Sequence, residues 1–165
     1  ALMVRLSSPG PIFYRQERIG KHGKPFNMLK FRSMYVDSES AGPQLSKDND
    51  PRITKWGRFM RKTRLDEIPQ FFTVLGGKMS IVGYRPERQY FIDKIMAENP
   101  DYAKLYAMRP GVFSNATLYN GYTDTMEKML TRLDMDLEYL EHHNLWTDIV
   151  IIFKTGVSIL TGKKF

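Results

Sequence analysis

The chain has 165 residues, 42% of them apolar and 26% charged, with no cysteine and a formal net charge of +7. This length and composition suit one globular domain over residues 1–165 with a modest core, and the lack of cysteine excludes disulfides and thiolate metal sites. Residues 1–64 carry 14 Lys and Arg against 5 Asp and Glu, whereas residues 65–165 carry 11 against 13, so the N-terminal part is the one that would face nucleic acid, an anionic membrane surface or a phosphorylated substrate, unless its charge serves only solubility.

In chain order, residues 12–19 and 25–34 read as two strands joined by the polar turn Gly20-Lys21-His22-Gly23-Lys24, a hairpin. Residues 35–55 are polar and aperiodic, a long loop that is either a substrate lid or an idle excursion. Trp56, Phe59 and Met60 predict a short helix. Ile68, Phe71, Phe72 and Leu75 recur at the spacing of one buried helical face, with Gly76-Gly77 as a stop and Asp66 as N-cap. Met79-Ser80-Ile81-Val82 reads as a strand. Residues 86–98 read as a helix started by Pro86, with Phe91, Ile92 and Ile95 inward. Asp124-Thr125-Met126-Glu127 resembles a capping box, and Leu130, Leu133, Leu137 and Leu140 form an amphipathic stripe that packs on its own domain or, alternatively, on a homodimer partner.

The tail from Leu145 contains the longest apolar run, Ile149-Val150-Ile151-Ile152-Phe153, far short of the roughly 20 residues that span a bilayer. Trp146 at one end and Lys163-Lys164 at the other suit a membrane interface, and a core strand or helix fits nearly as well. The elements together predict an α+β fold, a small antiparallel hairpin-based sheet with several amphipathic helices. No repeated βαβ pattern and no glycine fingerprint point to a Rossmann-like sheet.

The densest chemistry lies in Arg61-Lys62-Thr63-Arg64-Leu65-Asp66-Glu67-Ile68-Pro69-Gln70. An N-cap carboxylate sits beside unpaired amides and the positive end of a helix dipole, a setting that favours its ionised form and a nearby phosphate. Adjacent carboxylates are ordinarily solvated surface or caps, but these are framed by arginines. A carboxylate can attack phosphorus and form an aspartyl phosphate, and a neighbouring one can bind Mg²⁺. His22, His142 and His143 do not share helical spacing and read as surface residues.

These strings resemble the bacterial sugar transferases, the monotopic polyprenyl-phosphate phosphoglycosyl transferases. The resemblance runs through Ser8-Pro9-Gly10-Pro11-Ile12-Phe13-Tyr14-Arg15-Gln16, Arg18-Ile19-Gly20, Lys30-Phe31-Arg32-Ser33-Met34, Leu65-Asp66-Glu67-Ile68-Pro69-Gln70, Met79-Ser80-Ile81-Val82-Gly83, Arg85-Pro86 and Arg109-Pro110-Gly111. It implies transfer of a phosphosugar from a UDP-sugar to polyprenyl (undecaprenyl) phosphate with release of UMP, the first membrane step of surface glycan synthesis. Asp66 would be the nucleophile and Glu67 the Mg²⁺ residue. Arg61 would contact the lipid phosphate or diphosphate, and Arg85 with Pro86 the nucleotide side. Arg109 is a second candidate there, and Lys30 and Arg32 form a basic strand near the site or membrane. The resemblance further implies the cytoplasmic face of the bacterial inner membrane, and a membrane segment ahead of Ala1 that this chain would lack.

The chain departs from the family pattern at Arg64, where Ser is usual, and at Tyr84, where Pro is usual and where an aromatic could stack on a base or sugar. After Arg109-Pro110-Gly111 it reads Val112-Phe113-Ser114-Asn115, which bears on nucleotide or sugar specificity. Two other functions compete. One is a single-stranded nucleic-acid module using Phe13, Tyr14, Phe26 and Phe31 as stacking platforms, although the family takes no nucleic acid. The other is a non-catalytic membrane-surface interaction domain.

Overall fold

The computed structural model describes residues 1–40, 42, 44–46, 50–120 and 123–161. After a short helix α1 (Leu2–Ser7), strands β1 (Phe13–Ile19) and β2 (Pro25–Phe31) form the expected antiparallel hairpin, with Phe13 opposite Phe31 and Ile19 opposite Pro25. The turn between them needs left-handed backbone at His22 (φ 60°) and Gly23 (φ 67°). Strand β2 stops at Phe31 rather than at residue 34, because the Ser33 carbonyl turns aside to accept the Thr54 N–H at 3.0 Å. Helix α2 (Lys55–Lys62) starts there, its Thr54 cap accepting from the Gly57 N–H at 2.9 Å. A Cβ on Gly57 would lie 1.9 Å from the Ser33 oxygen, so only glycine lets α2 cross the strand end this closely.

Two readings of the next segment need correction. The carboxylate pair sits in a separate 3₁₀ turn, Leu65–Glu67, and Pro69, not Asp66, precedes helix α3 (Gln70–Leu75). The apolar face of α3 is also turned outward: Phe72 is 70% and Leu75 84% exposed, while Gln70 is buried and Val74 packs on Phe26, Met28, Met79 and Val112. Periodicity reveals that a helix has an apolar face, not whether that face meets protein or something else.

Strand β3 (Ser80–Val82) pairs in parallel with β4 (Gly111–Phe113), a second two-stranded sheet beside the hairpin. The two strands cross at glycine: a Cβ on Gly111 would stand 2.1 Å from the Gly83 nitrogen, and one on Gly83 would stand 2.6 Å from the Arg109 oxygen. Helix α4 (Gln89–Glu98) buries Phe91, Ile92 and Ile95 as expected. They join Tyr84, Leu105 and Leu133 in the main core, each large apolar side chain there contributing about 1.5–3 kcal/mol. Tyr84 is fully enclosed in this cluster, so it cannot stack on a bound base or sugar.

A 3₁₀ segment (Pro100–Ala107) and helix α5 (Asn115–Asn120) lead to α6 (Met126–His142), capped by Thr125. Its Leu130, Leu133, Leu137 and Leu140 stripe packs against the chain's own core. Helix α7 (Leu145–Thr161) buries Ile151 and Thr155 and exposes Trp146, Phe153 and Leu160. The tail lysines Lys163 and Lys164 lie outside the described residues. Among those described, no helix is long and apolar enough to cross a membrane.

Candidate active site

The backbone reverses at Arg64, a non-glycine residue in the left-handed region (φ 53°), a conformation that costs about 1–2 kcal/mol. This reversal throws the next three residues into the 3₁₀ turn, and the Glu67 N–H returns to the Arg64 carbonyl at 3.1 Å. Asp66 and Glu67 are thereby carried side by side into a cleft of about 760 Å³, at 6% and 8% exposure.

Cations from four elements converge on the pair. Lys30, at the end of β2, donates to Glu67 Oε1 at 3.3 Å. Arg85, after β3, has Nη1 3.5 Å from the same oxygen, and Arg64 Nη1 is 3.8 Å from Oε2. Arg61, on α2, lines the cleft with Nε donating to Ser33 Oγ at 2.9 Å and Nη1 to Ser46 Oγ at 3.0 Å. The two carboxyls respond in opposite directions. Burial raises Asp66, and the neighbouring Glu67 charge adds to this, against the pull of Lys30 and Arg61. Burial acts on Glu67 too, but Lys30, Arg85 and Arg64 overcome it and hold that carboxyl down to about 2. Lys30 is itself lowered by burial, with Glu67 opposing. The arrangement is a permanently charged Glu67 that organises cations, beside an Asp66 whose carboxylate is the more basic of the two.

The remaining residues singled out in the sequence are placed differently. Arg32 borders the cleft, as the basic strand predicts, but is buried and donates to the carbonyls of Pro9 and Ser8, each at 2.6 Å, pinning the Ser8-Pro9-Gly10 turn to the end of β2. Pro86 is buried, and its carbonyl accepts from Arg18 Nη1 at 3.2 Å. Arg109 is exposed and does not line the cleft. Of the aromatics a nucleic-acid module would use, Phe26 is in the core, whereas Phe13 and Tyr14 are exposed and Phe13 stacks on Phe31 at 5.3 Å.

Sequence reasoning passed over a buried network behind Arg85. Glu87 pairs with Arg18 and accepts from Arg132 Nη2 at 2.9 Å, and burial of its carboxyl is outweighed by these two arginines, which hold it down to about 2. Asp136, one helical turn after Arg132, is fully enclosed, and burial pushes its carboxyl up to about 7 despite Arg132 and the Arg85 backbone amide. Charged residues at 132 and 136, interleaved with Met129, Leu133 and Tyr139 on the buried face of α6, were the available signal. Arg88 and Glu39 also meet over the cleft, Nη1 to Oε1 at 2.7 Å, tying the 35–54 loop to the segment after Arg85.

Comparison with known proteins identifies the family. Residues 1–162 match the family described as bacterial sugar transferase. The UDP-N-acetylgalactosamine-undecaprenyl-phosphate N-acetylgalactosaminephosphotransferase of Aeromonas hydrophila is 41% identical over 98% of this chain and 38% of its own length. The UDP-glucose:undecaprenyl-phosphate glucose-1-phosphate transferase of Escherichia coli K12 is 45% identical over 94% of the chain and 34% of its own. The enzyme of the same name from Caulobacter vibrioides is 39% identical over 98% of the chain and 61% of its own. The chain thus spans about a third of the first two relatives. A match over nearly the whole sequence leads to one assignment: the chain belongs to the bacterial sugar transferase family.

Proposed function

We propose that this chain is the catalytic part of an enzyme that moves a phosphosugar from a UDP-sugar to polyprenyl phosphate through a covalent intermediate on Asp66. The supporting observation is the raised Asp66 carboxyl in a cleft ringed by Lys30, Arg61, Arg64 and Arg85. A carboxylate oxygen of Asp66 attacks the sugar-linked phosphorus, the bond from that phosphorus to the bridging oxygen breaks, and UMP leaves with the electron pair. A phosphate oxygen of the polyprenyl carrier then attacks the same phosphorus. The aspartyl bond breaks, freeing the carboxylate and yielding polyprenyl-diphosphate-sugar. The arginines act by bidentate hydrogen bonding and by charge stabilisation of the phosphoryl oxygens.

Glu67 Oε2 is buried and accepts no hydrogen bond, which fits a carboxylate able to take Mg²⁺ alongside substrate phosphates. Bound there, the ion would neutralise diphosphate charge. Lys30 and Arg85 orient Glu67 in either case. We further read the exposed apolar side chains of α3 and α7 as resting on a membrane surface, at the cytoplasmic face where nucleotide sugars are made available.

The test is a panel of UDP-sugars given to the full-length protein in detergent, with intact mass reading the adduct and UMP release reading turnover. One sugar should give a phosphosugar adduct on wild type that Asp66→Asn lacks. An adduct that persists in Asp66→Asn would sink the proposal.

A further inference from the structure

Behind the 3₁₀ turn lies a second concavity of about 210 Å³, lined mainly by Leu65, Ile68 and Phe71 on one side and by Val112, Phe113 and Ile159 on the other. Phe71 and Phe113 meet edge to face at 6.4 Å across it. Arg64, Glu67 and Ile159 border this groove and the polar cleft alike, so the turn that carries the carboxylates, together with the end of α7, forms the ridge between the two. The helices that wall the groove carry further exposed apolar side chains. Phe72 and Leu75 follow Phe71 along α3, Leu160 follows Ile159 at the end of α7, and all three are exposed.

We infer that this groove seats the first isoprene units of the polyprenyl acceptor, with its phosphate crossing the ridge at Arg64 to reach the phosphorus on Asp66. The inference rests on the transfer reading above and adds where the lipid lies. A sugar or a nucleotide would lose hydrogen bonds to water there without replacement, since the walls offer almost no polar partner. Hydrocarbon loses nothing. The occupant must also be anionic at the end nearest Arg64, and a prenyl phosphate meets both conditions. Arg64, where the family usually has Ser, gives this chain an additional positive charge at the crossing point.

Two measurements on the full-length protein test this. A prenyl phosphate carrying a photoreactive diazirine in its second isoprene unit should label peptides containing Ile68, Phe71, Phe113 or Ile159, and polyprenyl phosphate should compete. Labelling confined to other peptides would overturn the groove. Kinetically, Phe71→Ser, which strips one wall of the groove, and Ile68→Asp, both at partly exposed positions that line the groove and not the cleft, should each raise KM for polyprenyl phosphate about tenfold or more, the scale of losing a few buried methyl contacts. Adduct formation and UMP release in a single turnover without lipid should stay at the wild-type rate. An unchanged KM in both variants, or an equal loss of the lipid-free step, would overturn the inference. Absence of UMP release from wild type would instead sink the transfer reading, and the labelling pattern would still judge the groove by itself.

Discussion

Arg132 reaches across 45 residues of chain to donate to Glu87 at 2.9 Å, and both side chains are buried. Because Glu87 also pairs with Arg18, the carboxylate is the shared member of a buried triad, and its loss should cost more than the loss of either arginine. Glu87→Gln is expected to destabilise by about 3–5 kcal/mol, since it strands the buried Arg132 guanidinium and the partly buried one of Arg18. Arg132→Met, which leaves Glu87 paired with Arg18, should cost clearly less. Urea unfolding of the two variants measures the asymmetry.

Lys30 is the strongest influence holding the Asp66 carboxyl down against burial. Removing that charge in Lys30→Met should raise the carboxyl further. Adduct formation requires ionised Asp66, so activity rises with pH through this group, and the acid limb of the lipid-free rate profile should move to higher pH in the variant. A limb that stays in place or moves down would contradict the assignment.

Asp136 carries a pH signature of the opposite sense to the buried glutamates. Its carboxyl is raised from 3.8 to about 7 in the fold, so the folded chain holds a proton that the unfolded chain releases. The stability tied to that proton is complete below about pH 4 and lost as pH rises through about 7. Asp136→Asn should flatten this decline, and Tm measured between pH 5 and 8 should fall less steeply than in wild type.

Phe72 and Leu75 are mostly exposed, so replacing both with Ser should change stability by no more than about 0.5 kcal/mol each. If α3 rests on a membrane surface, the same double variant should sediment markedly less with vesicles of phosphatidylglycerol and phosphatidylethanolamine. Equal sedimentation would mean that α3 faces something else.

Local signals carried much of this architecture. The hairpin was legible because aromatic and branched residues flank a Gly-bounded polar gap, and α4 and α6 because their apolar spacing coincides with burial in the chain's own core. The face of α3 was misread for the same physics: a stripe of Ile68, Phe71, Phe72 and Leu75 looks identical whether it meets protein or another apolar phase. Tyr84 looked available for stacking, yet adjacency to Arg85 in sequence says nothing about which of the two points inward. The convergence of Lys30, Arg61, Arg64 and Arg85 on the dyad followed from strings recognised together. Arg32 and Arg109 separated from that group because a short string records residue type, not which guanidinium is satisfied by backbone carbonyls or left in solvent. The Glu87 triad depends on pairings between residues 69 and 45 positions apart, which no short window contains.

The contact between Gly83 and Gly111 ties two distant stretches into one hinge-free joint. The Gly111 N–H donates to the Tyr84 carbonyl at 2.9 Å, one residue before Arg85, so the height of that arginine above Glu67 is dictated by how tightly two bare backbones can nest. A single methyl group at either glycine would act as a shim, lifting the guanidinium away from its carboxylate without touching any charged atom.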